Sequence, residues 1–175
     1  LPDSNILVEP CARNTSACVG LAAAVIHASD ENATMAVLPA DHVIGPRDEF
    51  QRSLKAGAEV AEAGANFVTY GIVPDYPATG YGYIQRADKH SDPHGVECFN
   101  VDSFKEKPDQ ATAEKFLESG EYLWNSGIFV WTSSTILDAI AEHMPDLDLG
   151  LQKIAATVGS SEYQSTVDAI YPSLP

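Results

Sequence analysis

Cations are scarce in this chain: 10 Lys and Arg stand against 25 Asp and Glu in 175 residues, a net charge of −15. Such a surface repels nucleic-acid backbone and anionic membrane, which argues against both as partners. A phosphorylated substrate would need local cations or a metal. Cysteine is sparse too. Cys11, Cys18 and Cys98 are odd in number and form no CxxC pair. With no secretory signal at the start, a reducing cytoplasm is the expected compartment. No apolar run approaches the roughly 20 residues needed to span a membrane. No GxGxxG fingerprint, Walker P-loop or internal repeat occurs, and no linker is long enough to divide the chain into two domains. The chain starts without methionine and stops at Pro172-Ser173-Leu174-Pro175, so both ends read as cut points of a longer polypeptide.

What is present is globular in composition, 45% hydrophobic and 20% charged. Ile6-Leu7-Val8 reads as a short strand halted by Glu9-Pro10. Asn14 or Thr15 can cap an alanine-rich helix reaching Ala28. Met35 to Leu38 reads as a buried strand, interrupted by Pro39. Pro46 opens a helix to about Ala63, closed by Gly64, and Phe67 to Ile72 is a third strand. That rhythm predicts βαβ units and a parallel sheet. Further on, Tyr83 to Gln85 and Val96 to Phe104 read as extended, joined by a polar loop from Asp88 to Gly95. Asp109 can cap a helix through Leu117, Ile128 to Trp131 is a buried strand, and Ser133 or Ser134 starts another helix. The stretch from Pro145 onward is helical in pattern, with breaks near Gly159 and Pro172.

Several segments carry candidate chemistry. The strand ending at Leu38 delivers Asp41 and His42 into a loop, and ligands of open α/β sheets bind at the carboxyl ends of strands. A carboxylate there can hold a hard cation such as Mg2+ or simply cap a turn. Thr79-Gly80-Tyr81-Gly82-Tyr83 combines close backbone approach with tyrosine faces suited to a sugar, or is an ordinary tight turn. Glu106-Lys107-Pro108 offers a carboxylate for vicinal hydroxyls and an ammonium for a phosphate, or a solvated turn. In Trp124-Asn125-Ser126-Gly127, Asn125 can both donate and accept toward a sugar hydroxyl, or bond its own backbone. Glu9 and Arg13-Asn14-Thr15 stand at a helix N-terminus, where backbone N–H groups favour anions and polar ring edges. Cys11 and Cys18 read as structural. His90 and His94 have metal-like spacing, but in a polar loop with no third ligand they read as solvated.

Taken in order, ILVEPCARNTSA, VLPADHVI, TYGIVPDYPATGYGYIQ, SFKEKPD and GEYLWNSGIFVW resemble the bacterial mannose-1-phosphate guanylyltransferases (GDP-mannose pyrophosphorylases) of the sugar-nucleotidyltransferase superfamily. The resemblance covers residues 6 to about 131. It implies an α/β, Rossmann-like and mostly parallel sheet flanked by helices, of the nucleotide-diphospho-sugar transferase type and lacking its N-terminal strand. It also implies GMP transfer from GTP to mannose 1-phosphate with Mg2+. On that analogy Asp41 holds the metal, and Glu9, Arg13, Asn14 and Thr15 line the guanine side. Gly82, Glu106 and Asn125 fix the mannose hydroxyls, with Lys107 near the sugar phosphate. Asp41 and Lys107 would be the catalytic residues.

The family's GGxGTR loop and PKQ segment are absent from these residues, and RNTAPA appears as Arg13-Asn14-Thr15-Ser16-Ala17-Cys18. The expectation is therefore an internal piece of a catalytic domain, inactive alone. Its unpaired sheet edge could accept another chain, which admits a homo-oligomer. Two alternatives remain at this point: another sugar-1-phosphate nucleotidyltransferase, or a non-catalytic sugar-nucleotide-binding or assembly domain.

Overall fold

The computed structural model describes residue 2 and residues 5–175. It divides into two compact units, residues 1–35 with 131–175, and residues 36–130.

In the first unit, α1 (Thr15–Ser29) buries Ala17, Gly20, Leu21 and Ala24 along one stripe, the i, i+3, i+4, i+7 spacing of a core-facing helix face. Three further helices complete this unit: α4 (Ser133–His143), α5 (Pro145–Ala155) and α6 (Tyr163–Ile170). Their shared core is Ala17, Leu21, Ala24, Ile140, Leu147, Leu151, Ile154, Val167, Tyr171 and Leu174. A Cβ on Gly20 would stand 2.6 Å from Leu151 Cδ1, so the missing side chain is what allows α1 to lie this close to α5. The caps follow the chemistry of their residues. Thr132 Oγ1 accepts from the Thr135 backbone N–H at 3.2 Å to start α4, and Pro145 opens α5, where no backbone donor is needed. Ile6, Leu7 and Val8 do not form the expected strand; all three are exposed and in no regular element. A strand exists only where its backbone groups find a ladder, and among the described residues none pairs with this segment.

In the second unit, β1 (Thr34–Val37) enters and stops before Pro39. It is followed by α2 (Arg47–Glu62) and β2 (Val68–Ile72). Next come β3 (Gly82–Ser91), β4 (Cys98–Glu106), α3 (Gln110–Ser119) and β5 (Tyr122–Thr132). α3 is bounded as its residues dictate. Asp109 Oδ1 accepts from the Thr112 N–H at 2.8 Å, and Gly120 closes the helix at φ 68°. That cap draws the Asp109 carboxyl below its ordinary pKa.

The sheet order is β1-β5-β3-β4, with β2 pairing to β5 off that path. The α/β class is as expected, but the sheet is not mostly parallel. The β2–β5, β3–β4 and β3–β5 pairs are all antiparallel. The reason lies in which strands become neighbours. α2 and α3 each connect two strands, as a βαβ unit does, yet β4 pairs back onto β3 across a short turn at Pro93–Gly95 instead of with β5. A parallel pair would need a crossover of a dozen or more residues between its own two strands. Two local expectations change as well. The polar stretch from Asp88 is strand as far as Ser91, and Trp124 to Gly127 lies inside β5 rather than in a turn before it.

Candidate functional site

The second unit brings three of the expected residues together. Gly82 opens β3 and pairs in register with Glu106, the last residue of β4. A Cβ at Gly82 would stand 2.9 Å from Glu106 Oε2, 3.6 Å from Asn125 Cβ and 4.0 Å from Asn125 Nδ2. One bare backbone position is thus flanked by a carboxylate on one strand and an amide on another. The other oxygen of Glu106, Oε1, lies 3.2 Å from Lys107 Nζ, with both side chains exposed. An exposed pair of this kind adds little stability, but it leaves Oε2 turned to Gly82 and holds a cation beside it. Lys107 sits at φ 42°, in the left-handed region that costs a side-chain-bearing residue free energy, and its N–H donates to Tyr81 O at 3.2 Å.

Asn125 is aimed by an irregularity in β5. Between the pairs Thr69↔Phe129 and Gly71↔Asn125, β2 advances two residues while β5 advances four. The excess is taken up around Gly127, at φ 72°, and by side chains bonding back to the strand. Gly127 N–H donates to Asn125 Oδ1 at 3.2 Å, and Ile128 N–H donates to Ser126 Oγ at 3.2 Å. Bulges of this type re-aim side chains beside binding sites. Pro39 Cγ lies 3.5 Å from where a Gly127 Cβ would be, which places the start of the Asp41 loop against this bulge.

Asp41 and His42 are exposed in the turn after β1. Among the described residues no group of three or more His, Cys, Asp and Glu is placed to hold a metal ion. Mg2+ commonly takes one or two carboxylates and completes its oxygen shell with water and substrate phosphates. A single accessible carboxylate at a strand end fits that mode of attachment.

The tyrosines of the glycine-aromatic segment separate into two roles. Tyr83 is fully buried, donates to Ala78 O at 2.8 Å and has its ring 5.2 Å from that of Phe116; it is core, not a sugar face. Tyr81 is exposed. Its ring stands edge-on to Trp124 at 5.2 Å, and that of Tyr76 does so at 4.9 Å. Tyr76 donates to the Tyr81 hydroxyl at 3.4 Å, which raises the Tyr76 pKa. Among the described residues Trp124 Nε1 is buried with no hydrogen-bond partner.

In the first unit, Asn14 caps α1 through its backbone only, leaving its side chain uncommitted to the helix. Arg13, Asn14 and Thr15 are exposed. Glu9 accepts a hydrogen bond from the buried Tyr171 hydroxyl, and burial with that bond pushes the Tyr171 phenol far above its ordinary range. Burial and the neighbouring Glu9 also raise the Cys18 thiol. His94, expected to be solvated, lies 3.2 Å from Glu59 Oε2, and both side chains are substantially exposed.

A cavity of about 380 Å³ also lies in the second unit, bordered by α2, β2 and the β3–β4 hairpin. None of the expected site residues lines it. Its polar groups are largely spent: Tyr70 donates to Ser53 O, Asn66 to Val60 O and Arg86 to Gly120 O. Burial lifts the Tyr70 pKa to about 12.

One residue at the site was not singled out in the sequence. Thr69 Oγ1 lies 3.1 Å from Asn125 Oδ1 and 3.1 Å from Ile128 O. The available signal was a hydroxyl inside an otherwise apolar strand, since a half-buried polar group asks for a partner.

A mannose-1-phosphate guanylyltransferase of Escherichia coli K12 is 40% identical over 156 residues, covering 88% of this chain and 32% of the relative. One from Sinorhizobium fredii is 39% identical over 168 residues, covering 95% and 30%. The chain therefore spans about a third of the length of these curated relatives. Among solved structures, a protein titled mannose-1-phosphate geranyltransferase from Thermus thermophilus matches with a TM-score of 0.80 at 29% identity, over 97% of this chain and 46% of that one. A mannose-6-phosphate isomerase from Helicobacter pylori matches at 0.69 and 28%, over 84% and 52%. The family model described as nucleotidyl transferase matches residues 2–166, and the chain belongs to that family.

Proposed function

We propose that this chain forms part of a mannose-1-phosphate guanylyltransferase, which transfers GMP from GTP to mannose 1-phosphate and releases pyrophosphate. The observation that carries the reading is the convergence of Glu106 Oε2 and Asn125 on Gly82. An acceptor and an amide across a bare glycine suit the adjacent hydroxyls of a sugar. Relatives about 40% identical, named for this reaction, support the choice of hexose and base.

In the reaction, a phosphate oxygen of mannose 1-phosphate attacks the α-phosphorus of GTP in line. The new P–O bond forms as the bond to the departing pyrophosphate breaks, and no covalent enzyme intermediate is needed. The chain's work is alignment and charge stabilisation. Gly82, Glu106 and Asn125 orient the sugar. Lys107, a local cation in a strongly acidic chain, meets its phosphate. Glu9, Arg13, Asn14 and Thr15 are assigned to the guanine. Asp41 would hold Mg2+, which when bound offsets the charge on the phosphates.

The test is a substrate matrix on the full open reading frame that encodes this chain. GTP, ATP, UTP, CTP and dTTP are each supplied with mannose 1-phosphate or glucose 1-phosphate and Mg2+, and pyrophosphate release is measured. The expected result is the highest kcat/KM for GTP with mannose 1-phosphate. A preference for another pair would reassign base or hexose, and no turnover with any pair would favour a binding or assembly role.

A further inference from the structure

We propose that Thr69 is a positioning residue, locking the Asn125 amide so that its NH2 faces Gly82 and Glu106. The site then presents one donor and one acceptor to two neighbouring hydroxyls. The inference rests on the reading that these residues hold the sugar.

The orientation of an asparagine amide follows from its neighbours. A backbone N–H can only donate, so the atom of Asn125 facing Gly127 N at 3.2 Å must be the carbonyl oxygen. Thr69 Oγ1 approaches the same oxygen at 3.1 Å and the Ile128 carbonyl at 3.1 Å, its single proton shared between them. Two donors therefore converge on Oδ1. Turning the amide over would set its NH2 against the Gly127 N–H and lose the Gly127 bond. Nδ2 is left on the side of Gly82, 4.0 Å from where a Cβ would be, and the same point is 2.9 Å from Glu106 Oε2. Thr69 thus acts on the sugar only through Asn125. It reaches across from β2 at the register shift that creates the bulge, so the bulge and the lock form one device.

The experiment compares Thr69→Val, Thr69→Ser, Asn125→Ala and the double variant Thr69→Val/Asn125→Ala in the full open reading frame. It measures KM for each substrate, kcat and thermal midpoint. Val keeps the β-branched shape the strand favours while removing the hydroxyl. Thr69→Val should raise KM for mannose 1-phosphate about three- to tenfold, the worth of one neutral hydrogen bond, with KM for GTP unchanged. Thr69→Ser should restore the wild-type value, and Thr69→Val should add nothing in the Asn125→Ala background. If Asn125→Ala itself leaves the sugar KM unchanged, the sugar reading fails and this inference with it. If Asn125→Ala raises it but Thr69→Val does not, the sugar reading stands and the positioning role is overturned. Equal loss toward both substrates, or no rescue by Ser, would mark Thr69 as merely structural and also overturn it. Should Thr69→Val fold poorly, the Ser variant and Thr69→Ala supply the same comparison.

Discussion

Substituting Gly82 by alanine separates the fold from the function at a single carbon. The added Cβ would stand 2.9 Å from Glu106 Oε2, too close for both to remain, while its contacts to Asn125 at 3.6 Å and 4.0 Å are ordinary. Gly82 is not among the positive-φ positions, so alanine suits its backbone. The atom that must move is the tip of an exposed, flexible side chain, and it can swing away at little cost. Stability should therefore stay within about 0.5 kcal/mol of wild type, as for most substitutions without a core clash. Binding should not. Moving the carboxylate forfeits a hydrogen bond to a charged acceptor, worth about 1.5–3 kcal/mol, or about 10- to 150-fold in KM for mannose 1-phosphate. Steady-state kinetics at saturating GTP, run beside urea denaturation of the same preparation, read both quantities. A sugar KM within about twofold of wild type in a stably folded variant would refute the reasoning, because the carboxylate would then be irrelevant where it stands.

Lys107→Gly should relieve the left-handed backbone at φ 42° and hold or raise stability by up to about 1 kcal/mol, while the enzyme uses mannose 1-phosphate less efficiently; denaturation and kinetics on one sample test both halves. Gly57→Ala should cost about 1–3 kcal/mol in urea unfolding, because its Cβ would fall on the Tyr70 hydroxyl, a stiff group already bonded to Ser53 O. The Tyr70 pKa is raised from 10.0 to about 12, chiefly by burial. Its contribution to stability is therefore complete below pH 10 and lost as pH rises toward 12. Tyr70→Phe should accordingly lose less stability than wild type over that interval in pH-dependent unfolding.

Elements governed by neighbouring residues were legible in the sequence. The cap at Asp109, the stop at Gly120 and the alanine-rich run of α1 each act within a turn or two of themselves, and each stands where expected. Strand direction was not legible, because it depends on which strands meet. The helical connections α1 and α2 suggested a parallel sheet, but β2 pairs antiparallel with β5 and β4 folds back on β3. Ile6 to Val8 has strand composition yet no ladder among the described residues, and composition alone does not supply a partner. At the site, the residue types were recognisable while their roles needed register. Strand alternation would put Tyr81 and Tyr83, two residues apart, on one face; they separate because β3 begins only at Gly82, which leaves Tyr81 outside the strand and exposed while Tyr83 is buried. The bulge that aims Asn125, and the Thr69 hydroxyl bonded to it, arise from the β2–β5 pairing and are invisible along either strand alone.

The most direct test of the account is whether Glu106 reads one particular sugar hydroxyl. KM is measured for mannose 1-phosphate and each of its monodeoxy analogues, with the wild-type enzyme and with Glu106→Gln. If Glu106 does so, one analogue loses about as much with wild type as the natural substrate loses on the substitution, and this analogue loses little more when the two changes are combined. Equal, additive losses for every analogue would contradict it.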